Sequence, residues 1–150
     1  MRPIIPPPVI MVFFTGIALE LDVVSPLDIL MGRARLLLVL LLAGLGVMVV
    51  LLGVMAFRRQ KTTINPYKID DASALVTNGI YRFTRNPMYL GMLLILFAVV
   101  AYTQDVLALL APAGFIVVLN RLQIRPEERA MLQTFGDTYA AYCERVRRWI

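Results

Sequence analysis

Histidine is absent from this sequence altogether. Without an imidazole there can be no His-based catalytic triad, no His-ligated metal cluster and no His-ligated haem. No side chain then titrates near neutral pH unless its surroundings shift it. Cysteine is almost absent as well: Cys143 stands alone, which excludes an internal disulfide. Charge is sparse at 17% of residues, with 10 acidic side chains against 15 basic ones. The resulting net charge of +5 and pI near 9.8 would suit nucleic acid. The basic residues, however, sit in short stretches beside apolar segments, which is a membrane-topology pattern and not a nucleic-acid stripe. The proline-rich start, Met1-Arg2-Pro3-Ile4-Ile5-Pro6-Pro7-Pro8, has no small-residue cleavage site, so no cleavable signal peptide is expected. Internal repeats and low-complexity segments are missing too.

What is abundant is apolar surface. Hydrophobic residues form 59% of the 150, with mean hydropathy +0.74. A soluble domain holds roughly 45–50%. A chain this short has room for one core, so a bilayer is the natural place for the excess. Four apolar stretches can be marked. The first runs from Val9 to Leu21, is closed by Glu20 and Asp22, and has Pro8 placed to sit in a first helical turn. The second, Leu36 to Phe57, carries no charge and reaches about 33 Å as a helix, enough for a hydrocarbon core of about 30 Å. The third runs from Pro87 to Tyr102 and the fourth from Val106 to Ile124, with Thr103-Gln104-Asp105 as a polar turn between them. These two predict an antiparallel helical hairpin.

Charge sets the orientation. Arg58, Arg59, Lys61, Lys68, Arg82 and Arg85 outnumber Asp70 and Asp71 before the third stretch. Arg121, Arg125, Arg129, Arg145, Arg147 and Arg148 follow the fourth. The positive-inside rule puts both regions in the cytoplasm and the turns carrying Asp22, Asp28 and Asp105 outside, with Arg33 and Arg35 as dissenters. After Pro126, the residues Leu132, Phe135, Tyr139, Tyr142, Val146 and Trp149 recur at helical spacing and predict one amphipathic helix. Gly136 inside it costs about 1 kcal/mol relative to alanine, so close packing is expected there. The expected fold is therefore an all-α, polytopic integral membrane bundle of about four transmembrane helices plus a C-terminal amphipathic cytoplasmic helix. Residues 1–57 would hold the N-terminal transmembrane helices and residues 58–150 the cofactor-binding catalytic region.

Two places could carry chemistry. The segment from Asn78 to Gly91 crowds Arg82, Arg85, Tyr81, Tyr89 and Asn86-Pro87 against the start of a span. Backbone amides at that helix start, with the two arginines, would suit an anion. An interfacial collar of basic and Tyr residues is the plainer reading. Glu127 and Glu128 open the last helix, where carboxylates complement the helix dipole in any protein. Adjacent helical positions point apart, so at most one is expected in a given pocket. Tyr139 and Tyr142 could line that pocket or simply cover the bundle.

Thr62-Thr63-Ile64-Asn65-Pro66, followed by Ala74 to Gly91 with its Tyr81-Arg82-Phe83-Thr84-Arg85-Asn86-Pro87-Met88-Tyr89 core, resembles the signature of the isoprenylcysteine carboxyl methyltransferase family. The same superfamily includes phospholipid methyltransferases. Glu127-Glu128, Leu132, Phe135-Gly136, Tyr139, Tyr142 and Val146 resemble that family's closing motif in order and spacing. The resemblance covers Thr62 to Trp149. It implies S-adenosyl-L-methionine in a cytoplasm-facing pocket, held by Tyr81, Arg85, Asn86, Pro87, Tyr89, Leu90, Gly91, Glu127, Glu128, Tyr139 and Tyr142. Arg85 and Glu128 would stand nearest the chemistry, and no metal is implied. Asn86 occupies a position where many members have histidine, so a hydrogen-bonding role carries over but a proton-transfer role does not.

The residue chemistry suits such a cofactor. Its cationic groups match Glu127 or Glu128 and Tyr faces, and its carboxylate matches Arg85 or backbone amides. The expected reaction is methyl transfer to a lipophilic or lipid-linked acceptor from the membrane lipids, with no nucleic-acid partner. A carboxylate acceptor is favoured because it needs no base. A phospholipid amine, a sulfur acceptor, a nicotinamide-dependent reductase and a non-catalytic membrane binding protein stay open.

Overall fold

The computed structural model describes residues 5–21, 32–59 and 75–150. The Thr62–Pro66 motif, Ala74, Lys61, Lys68, Asp70, Asp71, Asp22 and Asp28 lie outside the described residues. Within them the chain is all-helical. Helix α1 spans Pro7–Glu20, α2 Gly32–Arg59, α3 Pro87–Thr103, α4 Leu110–Leu119 and α5 Arg125–Arg145. Short 3-10 turns at Gly79–Arg82 and Leu107–Leu109 precede α3 and α4, and a π-helical turn at Asn120–Ile124 joins α4 to α5. Extended Pro6 leads into α1, whose first turn holds prolines that need donate no hydrogen bond there.

Small residues decide how the helices meet. Along α2 only Gly46, Val49 and Gly53 are buried, a narrow seam against α3. A Cβ on Gly46 would lie 2.7 Å from the Gly91 carbonyl oxygen, and one on Gly91 2.5 Å from that of Gly46. The two backbones therefore touch, which is how helices pack where no water drives them together. Helix α1 packs on α3 and α4 through Ile10, Phe14 and Ala18. Phe14 meets Phe115 edge-on at 6.1 Å. These residues share one core with Tyr89, Leu93, Leu96 and Leu119, so the N-terminal helices and the region after residue 58 are not separate bodies.

The rest of α2 is bare. Leu36, Leu37, Leu40, Leu41, Met48 and Leu51 are all at least half exposed. An apolar belt of that length belongs against lipid. Among the described residues, two helical runs are long and apolar enough to cross a membrane: Gly32–Arg59, 28 residues, and the continuous run Leu107–Arg145. Helices α1, of 14 residues, and α3, of 17, are apolar but shorter. Arg35 lies with its guanidinium 4.6 Å from the centre of the Tyr102 ring, so this dissenting cation pins α2 to the far end of α3.

Three expectations need correcting. The tail helix does not begin afresh at Pro126 but continues the fourth stretch through the π turn, where Arg125 N–H donates to Asn120 O. A proline collides with the carbonyl four residues before it, and a turn widened by one residue relieves that clash. The tail stripe is not one helix either. Its backbone breaks at Gly136 (φ 50, ψ −129), the helix ends at Arg145, Val146 is extended and Leu132 is half exposed. Gly136 is explained by that positive φ and not by close packing, because an added Cβ would meet nothing within 4 Å. The Thr103-Gln104-Asp105 turn stands between α3 and α4 as expected and is buried, with Asp105 Oδ1 accepting from Leu107 N–H at 2.7 Å. Gln104 adopts the left-handed conformation that ends α3.

Candidate active site

Gly79, at φ 63, starts the turn that turns Tyr81 inward. The Tyr81 ring packs edge-on to Phe57 at 5.4 Å, and its carbonyl accepts 2.7 Å from the Tyr142 hydroxyl. Thr84 follows, nearly fully buried, its hydroxyl accepting from Asn86 N–H at 3.2 Å. Asn86, before Pro87, is held out of the helical region (φ −129, ψ 58), and its carbonyl accepts the Leu90 N–H at 2.9 Å. Its side chain does not cap α3. Instead Asn86 Nδ2 donates to Arg148 O at 3.0 Å, the Thr84 hydroxyl donates to the same oxygen at 3.3 Å, and Arg85 N–H donates to Arg147 O at 3.0 Å. These three donors are thus turned towards the partial negative charge of the tail's own carbonyls.

The two glutamates point apart, as adjacent helical residues must, yet both are engaged. Glu127 Oε1 accepts from the Tyr89 hydroxyl and from Gln123 Nε2, each at 2.6 Å. Glu128 takes a two-pronged contact from Arg148, with Nε at 2.9 Å and Nη2 at 2.6 Å, and an ion pair from Arg85 at 3.2 Å. Arg85 also reaches Cys143 Sγ with its other terminal nitrogen. The rings of Tyr139 and Tyr142 lie 6.2 Å apart beside this cluster, both buried.

The electrostatics separate the carboxylates. Glu127 lies beyond the apolar stretch, among Arg121, Arg125 and Arg129 of the basic region. Burial pushes its carboxyl up to about 7, the Tyr89 and Gln123 hydrogen bonds pull it down, and Glu128 pushes it up further. The hydrogen bond to Glu128 holds the Arg148 guanidinium above its ordinary value. Burial raises the phenols of Tyr81, Tyr139 and Tyr142, which stay neutral. Among the described residues no group of His, Cys, Asp and Glu could hold a metal.

Of the residues singled out in the sequence, Tyr81, Arg85, Asn86, Tyr89, Glu127, Glu128, Tyr139 and Tyr142 converge here. Pro87 is buried near Gly53 of α2, Gly91 abuts Gly46, and Leu90 contributes the amide bonded to Asn86. Gln123, Thr84, Cys143 and Arg148 were missed. Gln123 carried a signal, standing one helical turn before Glu127. Arg148 reads as one more tail charge until the chain folds back.

The phospholipid methyltransferase family matches residues 34–138, a span that takes in α2, the Tyr81–Tyr89 segment and both glutamates. The chain belongs to the phospholipid methyltransferase family. An uncharacterized protein of Haemophilus influenzae is 44% identical over 63 residues, which are 42% of this chain and the whole of that protein. No solved structure matches the chain. Family membership makes this a methyltransferase-type membrane chain. The match ends just before Tyr139, so the two tail tyrosines lie outside the matched span.

Proposed function

We propose that this chain is an S-adenosyl-L-methionine-dependent methyltransferase acting on a lipophilic acceptor, with its site at the cytoplasmic face of a four-span bundle. The observation that carries this reading is the meeting of α3's first turn with the Glu127-Glu128 turn, where two buried polar atoms have no hydrogen-bond partner among the described residues. These are the donor Arg85 Nε and the acceptor Gln123 Oε1. An amino-acid moiety offers the complement of each, a carboxylate for the first and an ammonium for the second. The residues therefore fit the cofactor.

Glu127 is the carboxylate we assign to the cofactor's cation, beside the neutral hydroxyl of Tyr89. Glu128 already faces two guanidiniums, so its task is to orient Arg85. When bound, the cofactor supplies an electrophilic methyl group for in-line displacement. The chain's work is then to position the two reactants and keep water out. Tyr81, Tyr139 and Tyr142 supply apolar walls for the adenosyl group. A carboxylate acceptor needs no base. An amine acceptor would have to arrive deprotonated, because Glu127 is engaged by the cofactor's cation.

The test is incubation of the purified chain with labelled S-adenosylmethionine and native lipid extract, followed by identification of the labelled lipid. Calorimetry with the demethylated product checks binding separately. Absence of both label and binding would leave a membrane protein of this fold without this activity.

A further inference from the structure

A cleft of about 370 Å³ opens between the Arg59 end of α2 and the 3-10 turn before α3. Ligand sites run from about 300 to 1,000 Å³, so it suits a head group and the first carbons of a chain, not a whole lipid. One wall is Leu52, Met55, Ala56 and Arg59, a single helical face by their spacing; the other is Val76, Asn78, Gly79 and Ile80. The lining is mostly apolar, and among the described residues Arg59 is its only charged member. Among the described residues no acidic side chain pairs with it. A cation in α2's last turn complements the helix dipole, but Arg58 serves that purpose without facing the cleft.

We propose that this cleft binds an anionic amphiphile, with Arg59 holding its carboxylate or phosphate and the apolar walls taking its first methylenes. At 28 residues, α2 is about 42 Å long against a hydrocarbon core of about 30 Å, which puts its arginine end at head-group level. Gly79 and Ile80 share their turn with Tyr81, whose carbonyl is held by Tyr142, so the cleft and the candidate active site lie on two sides of one wall. Naming the bound amphiphile as the methyl acceptor rests on the methyltransferase reading; the binding itself does not.

The test uses the full chain in a neutral detergent, with a fluorescent fatty acid displaced by palmitate, by palmitoyl lysophosphatidylglycerol or by hexadecanol. One anionic probe or both should displace it, and hexadecanol should not. Palmitate alone identifies a carboxylate source, the lysolipid a phosphodiester. Arg59→Gln should weaken the anion about tenfold, the worth of one charge-assisted hydrogen bond, and Arg58→Gln should not. Ala56→Leu, which narrows the cleft, should weaken it while calorimetric affinity for S-adenosylmethionine stays unchanged. Equal displacement by hexadecanol, or equal effects of the two arginine variants, overturns the proposal. A chain that binds the anion but no S-adenosylmethionine would instead overturn the methyltransferase reading and leave this site standing.

Discussion

Glu127 and Glu128 are neighbours in the chain and opposites in environment. Glu127 is held by neutral donors and protonates at about 7; Glu128 is held by Arg85 and Arg148. Because the folded chain raises the Glu127 value from 4.5, the protonated form is favoured on folding. Its stabilising contribution is complete below 4.5 and is lost as pH rises through about 7. A bound cation favours the ionised form, so cofactor affinity should strengthen as pH passes upward through about 7. Calorimetry should show this slope in the native chain and a flat profile in Glu127→Gln; a slope kept in the variant would assign it to another group. Arg85→Lys should lose most methyl transfer while the membrane-inserted fraction is unchanged, because a lysine cannot serve Glu128 and Cys143 with one planar fork. Asn86→His should be tolerated. Asn86→Leu should cost about 0.5–1.5 kcal/mol, since it removes one of the two hydrogen bonds to the Arg148 carbonyl and leaves the Thr84 hydroxyl to hold the other. Full transfer in both Arg85→Lys and Asn86→Leu would make this segment an interfacial collar.

At the scale of elements, glycines do two different jobs. Gly46 and Gly91 permit backbone contact between α2 and α3, and Gly136 permits a break in α5. Gly46→Ala should therefore lower the thermal midpoint, while Gly44→Ala, whose Cβ meets nothing within 4 Å, should hold or raise it. Gly136→Ala should cost about 1–3 kcal/mol although there is space for the methyl, because the penalty lies in φ. Circular-dichroism melts of the three variants in one detergent separate these effects. The π turn before Pro126 belongs to the same scale. It carries Gln123 onto Glu127, so a relief of proline strain also positions a site residue.

For the whole molecule, the basic regions flanking α3 and α4 make a directional prediction. Single cysteines at Phe83, 75% exposed, and Val106, 55% exposed, in a Cys143→Ser background should label from opposite sides of sealed vesicles. Asp105 is unsuited to this experiment because it is buried. Labelling of both from one side would remove the four-span arrangement, leaving the two long runs as the only crossings.

Apolar run length and basic clustering made the helical membrane character legible in the residues alone. The paired motifs at Arg85–Tyr89 and Glu127-Glu128 did the same for the family. Both are local signals, a helix needing only its own periodicity and a motif only its own spacing. Fold-back was not legible. Arg148 reaches Glu128 across 20 residues, and the Arg148 carbonyl reaches Asn86 across 62. Nothing in one arginine among six separates it from solvent-facing neighbours until the break at Gly136 and the extended Val146 turn the tail back over α3's start. Tertiary packing likewise divided the labour of the two glutamates. Their identical chemistry leaves them interchangeable in sequence, and only desolvation beside Tyr89, against charge pairing with Arg85 and Arg148, makes them different groups.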